Sequence, residues 1–172
     1  MAEGILQSLI EIGVTTVNEP ENYDARANLM WNATMALNGI LGVGVPQDWA
    51  THMIGHELTA LYGIDHGQTL AIIFPALLKV QRVQKRAKLI QYAERVWHIT
   101  EGSEDEKIDL AIQKTKEFFE SLGIKTSLSE YDVGEDKFPE VIENLKSHGL
   151  TAISETGDIT PQVSQKILEN AL

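Results

Sequence analysis

The chain has 172 residues, no cysteine, and 25 acidic against 14 basic side chains, which gives a formal net charge of −11. A chain of this length is long enough to bury a substantial hydrophobic core as a single domain. The absence of cysteine excludes disulfide frameworks, zinc–thiolate sites and cysteine nucleophiles, and the acidity disfavours nucleic acid as a partner.

The first two predicted helices carry apolar residues at helical spacing. One runs from Glu3 to about Thr16, and it starts abruptly, as a helix would inside a longer domain. Asp24 is placed to cap a second helix over residues 25–41. The side chains expected to face inward are Ile5, Leu6, Leu9 and Ile10 in the first helix and Leu29, Met30, Ala33, Leu37 and Ile40 in the second.

A third helix is predicted to start at Asp48 or Thr51 and to end near Tyr62. Gly63 is a favourable stop, because glycine adopts the left-handed conformation that commonly ends a helix. A short loop with the sequence GIDHG follows.

The fourth predicted helix starts near Gln68 and is apolar on nearly every side, which is typical of the central helix of a bundle. Pro75 should kink it or split it in two. Its apolar run, residues 70–78, is too short to cross a bilayer, and no signal peptide is visible. We therefore expect a cytoplasmic protein without a membrane partner.

The basic stretch Lys79–Lys88 contains no aromatic residue, which favours a solvated helix face over a nucleic-acid site.

The C-terminal half predicts four more helices. They cover residues 84–97, a segment from the capping box Ser103/Glu106 to Leu122, a segment from Pro139 to Gly149, and a last helix opened by Thr160 and Pro161. No segment shows the alternation of a strand, and no glycine-rich turn is suited to nucleotide phosphates. The predicted fold class is all-α, a bundle of about eight helices.

Three of the five histidines fall in the stretch from His52 to Gly67. His52 and His56 lie four residues apart and therefore share one helix face, while His66 follows just past the loop. Imidazole is a common ligand of zinc and iron, so this cluster is a candidate metal site. Ala60 stands where the zincin motif H-E-x-x-H requires its second histidine, which excludes that protease signature.

The same residue types also have ordinary structural explanations. A histidine on a bundle helix is often a boundary residue, and His98 and His148 fit that role at helix C-termini, where a cation is favoured. Asp65 is expected to be a turn residue rather than a ligand. Trp31 and Trp49 are expected in the core or in the wall of a pocket.

Residues 42–78, with the sequence GVGVPQDWATHMIGHELTALYGIDHGQTLAIIFPALL, resemble the histidine-rich signature of the iron-containing (group III) alcohol dehydrogenases. The resemblance is greatest to the branch of NADPH-dependent butanol dehydrogenases and aldehyde reductases. It extends through RANLMWNATMALNG and KRAKLIQYAERVWHITEGS to the end of the chain. Residues 1–172 are accordingly expected to form the family's C-terminal, all-helical, dehydroquinate synthase-like domain, incomplete at its N-terminus. The nucleotide-binding α/β domain of such enzymes is expected outside this chain.

The resemblance also implies a site and a reaction. His52 and His66, fourteen residues apart, match two of four ligands to Fe²⁺ or Zn²⁺. His56 matches a catalytic position assigned to proton transfer or substrate positioning, and the other ligands would come from an upstream helix. The implied enzyme is a homo-oligomer that interconverts aldehydes and primary alcohols, with NADP(H) bound mainly by the other domain. The chain alone is expected to be inactive.

Two other functions remain open at this level. A self-contained helical metal-binding module would use all three histidines and bind zinc or iron tightly by itself. A helical interaction domain with incidental histidines would show no response of its thermal stability to metal.

Overall fold

The computed structural model describes every residue from Met1 to Leu172 and contains eight α-helices. The helices are α1 (Ala2–Asn18), α2 (Tyr23–Leu37), α3 (Ala50–Tyr62), α4 (His66–Val80), α5 (Arg86–Arg95), α6 (Glu104–Ser121), α7 (Phe138–Ser147) and α8 (Pro161–Glu169). Short 3₁₀ helices cover Ile40–Gly42, Leu128–Tyr131 and Glu135–Lys137. One isolated bridge between Ile153 and Ile159 is the sole extended pairing, so the all-α prediction is confirmed. None of the helices is both long enough and apolar enough to span a membrane.

The chain folds into two compact units that interleave along the sequence. The first unit comprises Met1–Pro46 and Arg86–Gly123, and the second comprises Gln47–Lys85 and Ile124–Leu172. The first therefore holds α1, α2, α5 and α6, and the second holds α3, α4, α7 and α8. All three residues of the histidine cluster belong to the second unit.

In the first unit, α1 packs on α2 and α5 packs on α6. The predicted capping box at the start of α6 is confirmed, because Ser103 and Glu106 exchange side-chain and backbone hydrogen bonds. The predicted cap of α2 is wrong: Asn22, not Asp24, accepts a hydrogen bond from the backbone N–H of Ala25, at 3.1 Å. Helix α5 is also shorter than the predicted range 84–97, since residues 81–85 form turns.

The apolar face predicted for α2 is exposed in this chain, contrary to expectation. The buried positions of α2 are Ala25 and Asn32, and the Asn32 side chain donates to the Ser8 hydroxyl at 2.8 Å. The helical period was right, but periodicity does not reveal which side of a helix is covered. Trp31 is 65% exposed, so it is not a core residue here. The exposed large apolar residues in this region are Tyr23, Leu29, Met30, Trp31, Leu37 and Ile40.

In the second unit, α3 packs against α4 and α7, and α8 packs against α4 and α7. Gly63 ends α3 in the left-handed conformation at φ 68°, as predicted. Helix α4 begins at His66, two residues before the predicted start, and it continues past Pro75 without splitting. The prediction of a central, mostly buried α4 is confirmed by its eight buried residues, which are Thr69, Ala71, Ile72, Ile73, Pro75, Ala76, Leu77 and Leu78.

Candidate metal centre

Two neighbouring helices bring the three clustered histidines together. His52 and His56 lie one turn apart on α3, and His66 is the first residue of α4. The chain between the helices is only three residues long, and the left-handed turn at Gly63 returns it toward α3. Asp65 occupies the N-cap position of α4, and its carbonyl accepts the backbone N–H of Thr69.

The spacing of the imidazole rings suits shared coordination by some of these histidines. The ring centroids of His52 and His66 are 5.4 Å apart, those of His56 and His66 are 4.7 Å apart, and those of His52 and His56 are 6.3 Å apart. With metal–nitrogen bonds of about 2.1 Å, two imidazoles on one tetrahedral ion have centroids roughly 5 Å apart. Both pairs that include His66 fit this spacing, whereas the i,i+4 pair on α3 is wider.

The chain supplies only part of a coordination shell. No group of three or more His, Cys, Asp or Glu side chains is arranged to hold a metal ion. His52 is half-buried, and His56 and His66 are exposed, so the cluster faces outward from the second unit and is open to further ligands. This arrangement fits two histidine ligands of an ion that is completed by groups from elsewhere. It is a poor fit to a self-contained three-histidine module.

The electrostatics of His52 favour the form that binds metals. Burial lowers its pKa below the ordinary 6.5, the neighbouring His66 and His56 lower it further, and Asp48 opposes them. Only a neutral imidazole can coordinate a metal ion, because the protonated ring has no free lone pair. The lowered pKa of His52 thus favours its neutral ring.

The start of α3 is fixed by a polar network. The Asp48 carboxylate accepts the backbone N–H of Ala50 at 2.8 Å, and it also pairs with the Lys85 ammonium at 2.9 Å. The same ammonium pairs with Glu155 at 2.7 Å. Burial alone would lower the pKa of Lys85, but the hydrogen bonds to Glu155 and Asp48 more than offset it, so that pKa is raised. The first turn of α3, which leads into His52, is therefore anchored. Lys85, in the basic stretch predicted to be a solvated face, is a structural residue.

Trp49 forms an aromatic wall beside the cluster. Its ring lies edge-on to His52, with centroids 5.0 Å apart, and 44% of the residue is exposed. Trp49 is therefore not a core residue.

Close packing sets the distance between the two helices that carry the histidines. Gly55 lies on the buried side of α3, and a β-carbon added there would stand 2.8 Å from the Thr69 hydroxyl oxygen. Thr69 is fully buried on α4, and its hydroxyl donates to the His66 carbonyl at 2.8 Å. The position of α3 relative to His66 thus depends on the small size of Gly55.

The contact between Glu57 and His148 was missed by sequence reasoning. Glu57 is only 4% exposed, and its carboxylate lies 2.7 Å from Nδ1 of His148 at the C-terminal end of α7. The one available signal was local, because Glu57 falls between Ile54 and Leu58 on the apolar side of α3. His148 does end a helix as predicted, whereas His98 lies three residues after α5 with φ at 55°.

Comparison of sequences places this chain among known proteins. The family model described as "Fe-containing alcohol dehydrogenase family, C-terminal" matches residues 1–168. The NADPH-dependent aldehyde reductase YqhD of Escherichia coli is 60% identical over 99% of this chain and 44% of that protein. NADH-dependent butanol dehydrogenase A of Clostridium acetobutylicum is 34% identical over 98% of this chain and 43% of that protein. The chain thus spans less than half the length of these relatives.

Solved structures share the fold. The crystal structure of E. coli YqhD superposes with a TM-score of 0.98 at 60% identity, covering 99% of this chain and 44% of that one. The butanol dehydrogenase A from Thermotoga maritima gives a TM-score of 0.90 at 31% identity, with 99% and 44% coverage.

Proposed function

Because this chain belongs to the iron-containing alcohol dehydrogenase family, we propose that it is the helical, metal-binding part of an enzyme that interconverts aldehydes and primary alcohols with NAD(P)(H). The names of its relatives support this reaction, since they are an aldehyde reductase and butanol dehydrogenases. The nicotinamide cofactor, NADP(H) by analogy with the 60% identical relative, would be bound mainly by an α/β domain outside these residues.

His52 and His66 are the proposed metal ligands. The single observation that carries this assignment is the 5.4 Å separation of their rings, which suits two ligands of one Fe²⁺ or Zn²⁺ ion. His56 lies as near to His66, and the resemblance to the family's histidine-rich signature is what selects His52 over His56 as the second ligand. The lowered pKa of His52 supports it further, because the shift favours the neutral ring, which is the form that can bind a metal ion. Such an ion, when bound, supplies a Lewis acid for a carbonyl or alkoxide oxygen.

His56 is the proposed proton-transfer residue. It is exposed on the same face of α3 as His52, and its ring lies 4.7 Å from that of His66. From there a ring nitrogen can donate a proton to a nascent alkoxide, or accept one from an alcohol. Its wide separation from His52 argues against these two rings sharing an ion.

Alanine substitutions in the full-length protein separate the two roles. His52→Ala and His66→Ala should each lose most of the bound metal, measured by elemental analysis of the purified protein. His56→Ala should retain the metal and lose turnover by about 10²- to 10⁴-fold, as expected for a general acid or base. His98→Ala, in the first unit, is the matched control and should change neither quantity.

Metal retained in both His52→Ala and His66→Ala would refute the ligand assignment. Tight zinc or iron binding by the 172-residue chain alone, abolished equally by all three alanine substitutions in the cluster, would instead support a self-contained module. We expect the isolated chain to bind metal weakly and to show no dehydrogenase activity.

A further inference from the structure

We propose that Glu57 is a positioning residue: through its contact with His148 it holds α3 in register on α7, and thereby places His52 and His56 relative to His66. The proposal rests on the proposed roles of these three histidines. It concerns a residue that touches neither metal nor substrate.

The geometry links Glu57 directly to the cluster. Glu57 follows His56 in sequence but lies on the buried side of α3, together with Ile54 and Leu58. Its carboxylate meets Nδ1 of His148 at 2.7 Å, at the last turn of α7. Helix α7 packs on α8 and α8 packs on α4, so a slide or turn of α3 on α7 moves His52 and His56 relative to His66 at the start of α4.

The burial of Glu57 explains why its contact with His148 restricts the placement of α3 on α7. The apolar neighbours of Glu57 can slide past one another with little change in contact energy, because hydrophobic contacts are non-directional. A carboxylate that is only 4% exposed must instead keep its hydrogen-bond donor, since an unpaired buried charge is strongly unfavourable. The Glu57–His148 pair therefore favours the registers of α3 that keep this carboxylate within reach of His148.

The other ties of α3 restrain different features of its placement. The contact of Gly55 with Thr69 limits how closely α3 approaches α4. The Tyr62 hydroxyl lies 3.2 Å from the Glu140 carboxylate and 3.3 Å from the Lys137 carbonyl, in an exposed environment at the end of the helix. Asp48 anchors only the first turn. Glu57 is thus the one charged residue of α3 that is buried, and it adjoins His56.

The test compares Glu57→Gln with Glu57→Met in the full-length protein. Glutamine keeps an acceptor for His148, whereas methionine fills a similar volume without one. Titration with Co²⁺, followed by its visible absorption, reports ligand geometry and affinity without relying on turnover. Crystal structures of the metal-free variants report the ring separations directly, for comparison with 5.4 Å for His52–His66 and 4.7 Å for His56–His66.

We expect Glu57→Gln to match the wild type. Glu57→Met should fold, shift the Co²⁺ absorption and weaken Co²⁺ binding by about tenfold, the loss typical of removing a group that orients a metal-ligating residue. Unchanged spectra and ring separations in Glu57→Met would overturn the proposal. Equal losses in both variants, in parallel with equal drops in melting temperature, would assign Glu57 to stability alone and would overturn it too.

A second pair of variants covers the case in which Glu57→Met does not fold. His148 is largely exposed, with 60% of its side chain accessible, so His148→Gln and His148→Leu make the same comparison without opening a cavity. The expected and overturning results are the same as for the Glu57 pair. If the metal-free variants show displaced rings but the wild type itself binds no Co²⁺, the positioning role stands and the metal assignment fails.

Discussion

Substitution of Gly55 by alanine is a sharp test of how the two histidine-bearing helices are spaced. The added β-carbon would lie 2.8 Å from the Thr69 hydroxyl oxygen, 3.4 Å from its β-carbon and 3.5 Å from a methyl group of Leu70. The hydroxyl cannot easily rotate away, because Thr69 is fully buried and donates to the His66 carbonyl. The two helices must therefore move apart locally.

Two opposing effects decide how much Gly55→Ala changes the free energy of unfolding. Overpacking of a buried contact typically costs about 1–3 kcal/mol. Replacing glycine by alanine inside a helix returns about 1 kcal/mol of helix propensity. The net expectation is a loss of about 1 kcal/mol in the free energy of unfolding, or roughly 2–4 °C in melting temperature for a chain of this size.

Urea unfolding of the wild type and four variants, Gly55→Ala, Thr69→Ala, Gly67→Ala and the double variant Gly55→Ala/Thr69→Ala, provides the measurement. Gly67→Ala is the matched control, because a β-carbon on that α4 residue meets nothing within 4 Å, and it should gain up to about 1 kcal/mol. The double variant Gly55→Ala/Thr69→Ala tests the cause, since removal of the hydroxyl makes room for the new methyl group. Its loss should be smaller than the sum of the two single losses by about 0.5 kcal/mol or more.

A Gly55→Ala protein as stable as Gly67→Ala would refute this reasoning, as would strictly additive effects in the double variant. Either result would mean that the approach of α3 to α4 is not limited by the Gly55 contact.

Two further predictions concern charged groups of the second unit. Lys85→Met should lower the free energy of unfolding by about 1–2 kcal/mol at low salt, because Asp48 and Glu155 both lose their cation. This loss of stability should become smaller as salt is added, since salt screens charges. An equal loss at all salt concentrations would contradict the ionic explanation. The pKa of Asp158 lies below the ordinary 3.8, mainly because its carboxylate accepts a hydrogen bond from the Ser154 hydroxyl. The ionised carboxylate therefore stabilises the folded chain above pH 3.8, and this stabilisation is lost as the pH falls through the lowered pKa. Asp158→Asn should therefore flatten the acid side of a plot of unfolding free energy against pH, and an unchanged acid slope would contradict that assignment.

Local chemistry made much of the secondary structure predictable. Ser103 and Glu106 cap α6 through contacts between residues three apart, and Thr160 caps α8 in the same way. Gly63 ends α3 because a left-handed residue is needed there. Such interactions depend on neighbours in sequence, so the sequence contains all the information they require. The same holds for the helical spacing that places His52 and His56 on one face.

Competition between similar local signals caused the smaller errors. Asn22 and Asp24 are both good N-cap residues, and the structure uses Asn22. The sequence predicted that α4 starts near Gln68, but α4 extends back to include His66. Neither the capping residue of α2 nor the first residue of α4 follows from helix propensity. The alternatives differ in propensity by less free energy than tertiary packing contributes.

The all-α fold, the helix periods and the candidate histidine cluster could be predicted from the order of residues, because each depends on residue types at short, regular spacing. Three features could be seen only in the folded chain: α2 exposes its apolar side, Gly55 meets Thr69, and Glu57 pairs with His148, 91 residues away. These features depend on which helix packs beside which. Periodicity shows that a helix has an apolar side. Contacts between residues distant in sequence decide which helix covers that side and which residue pairs with a charge buried there.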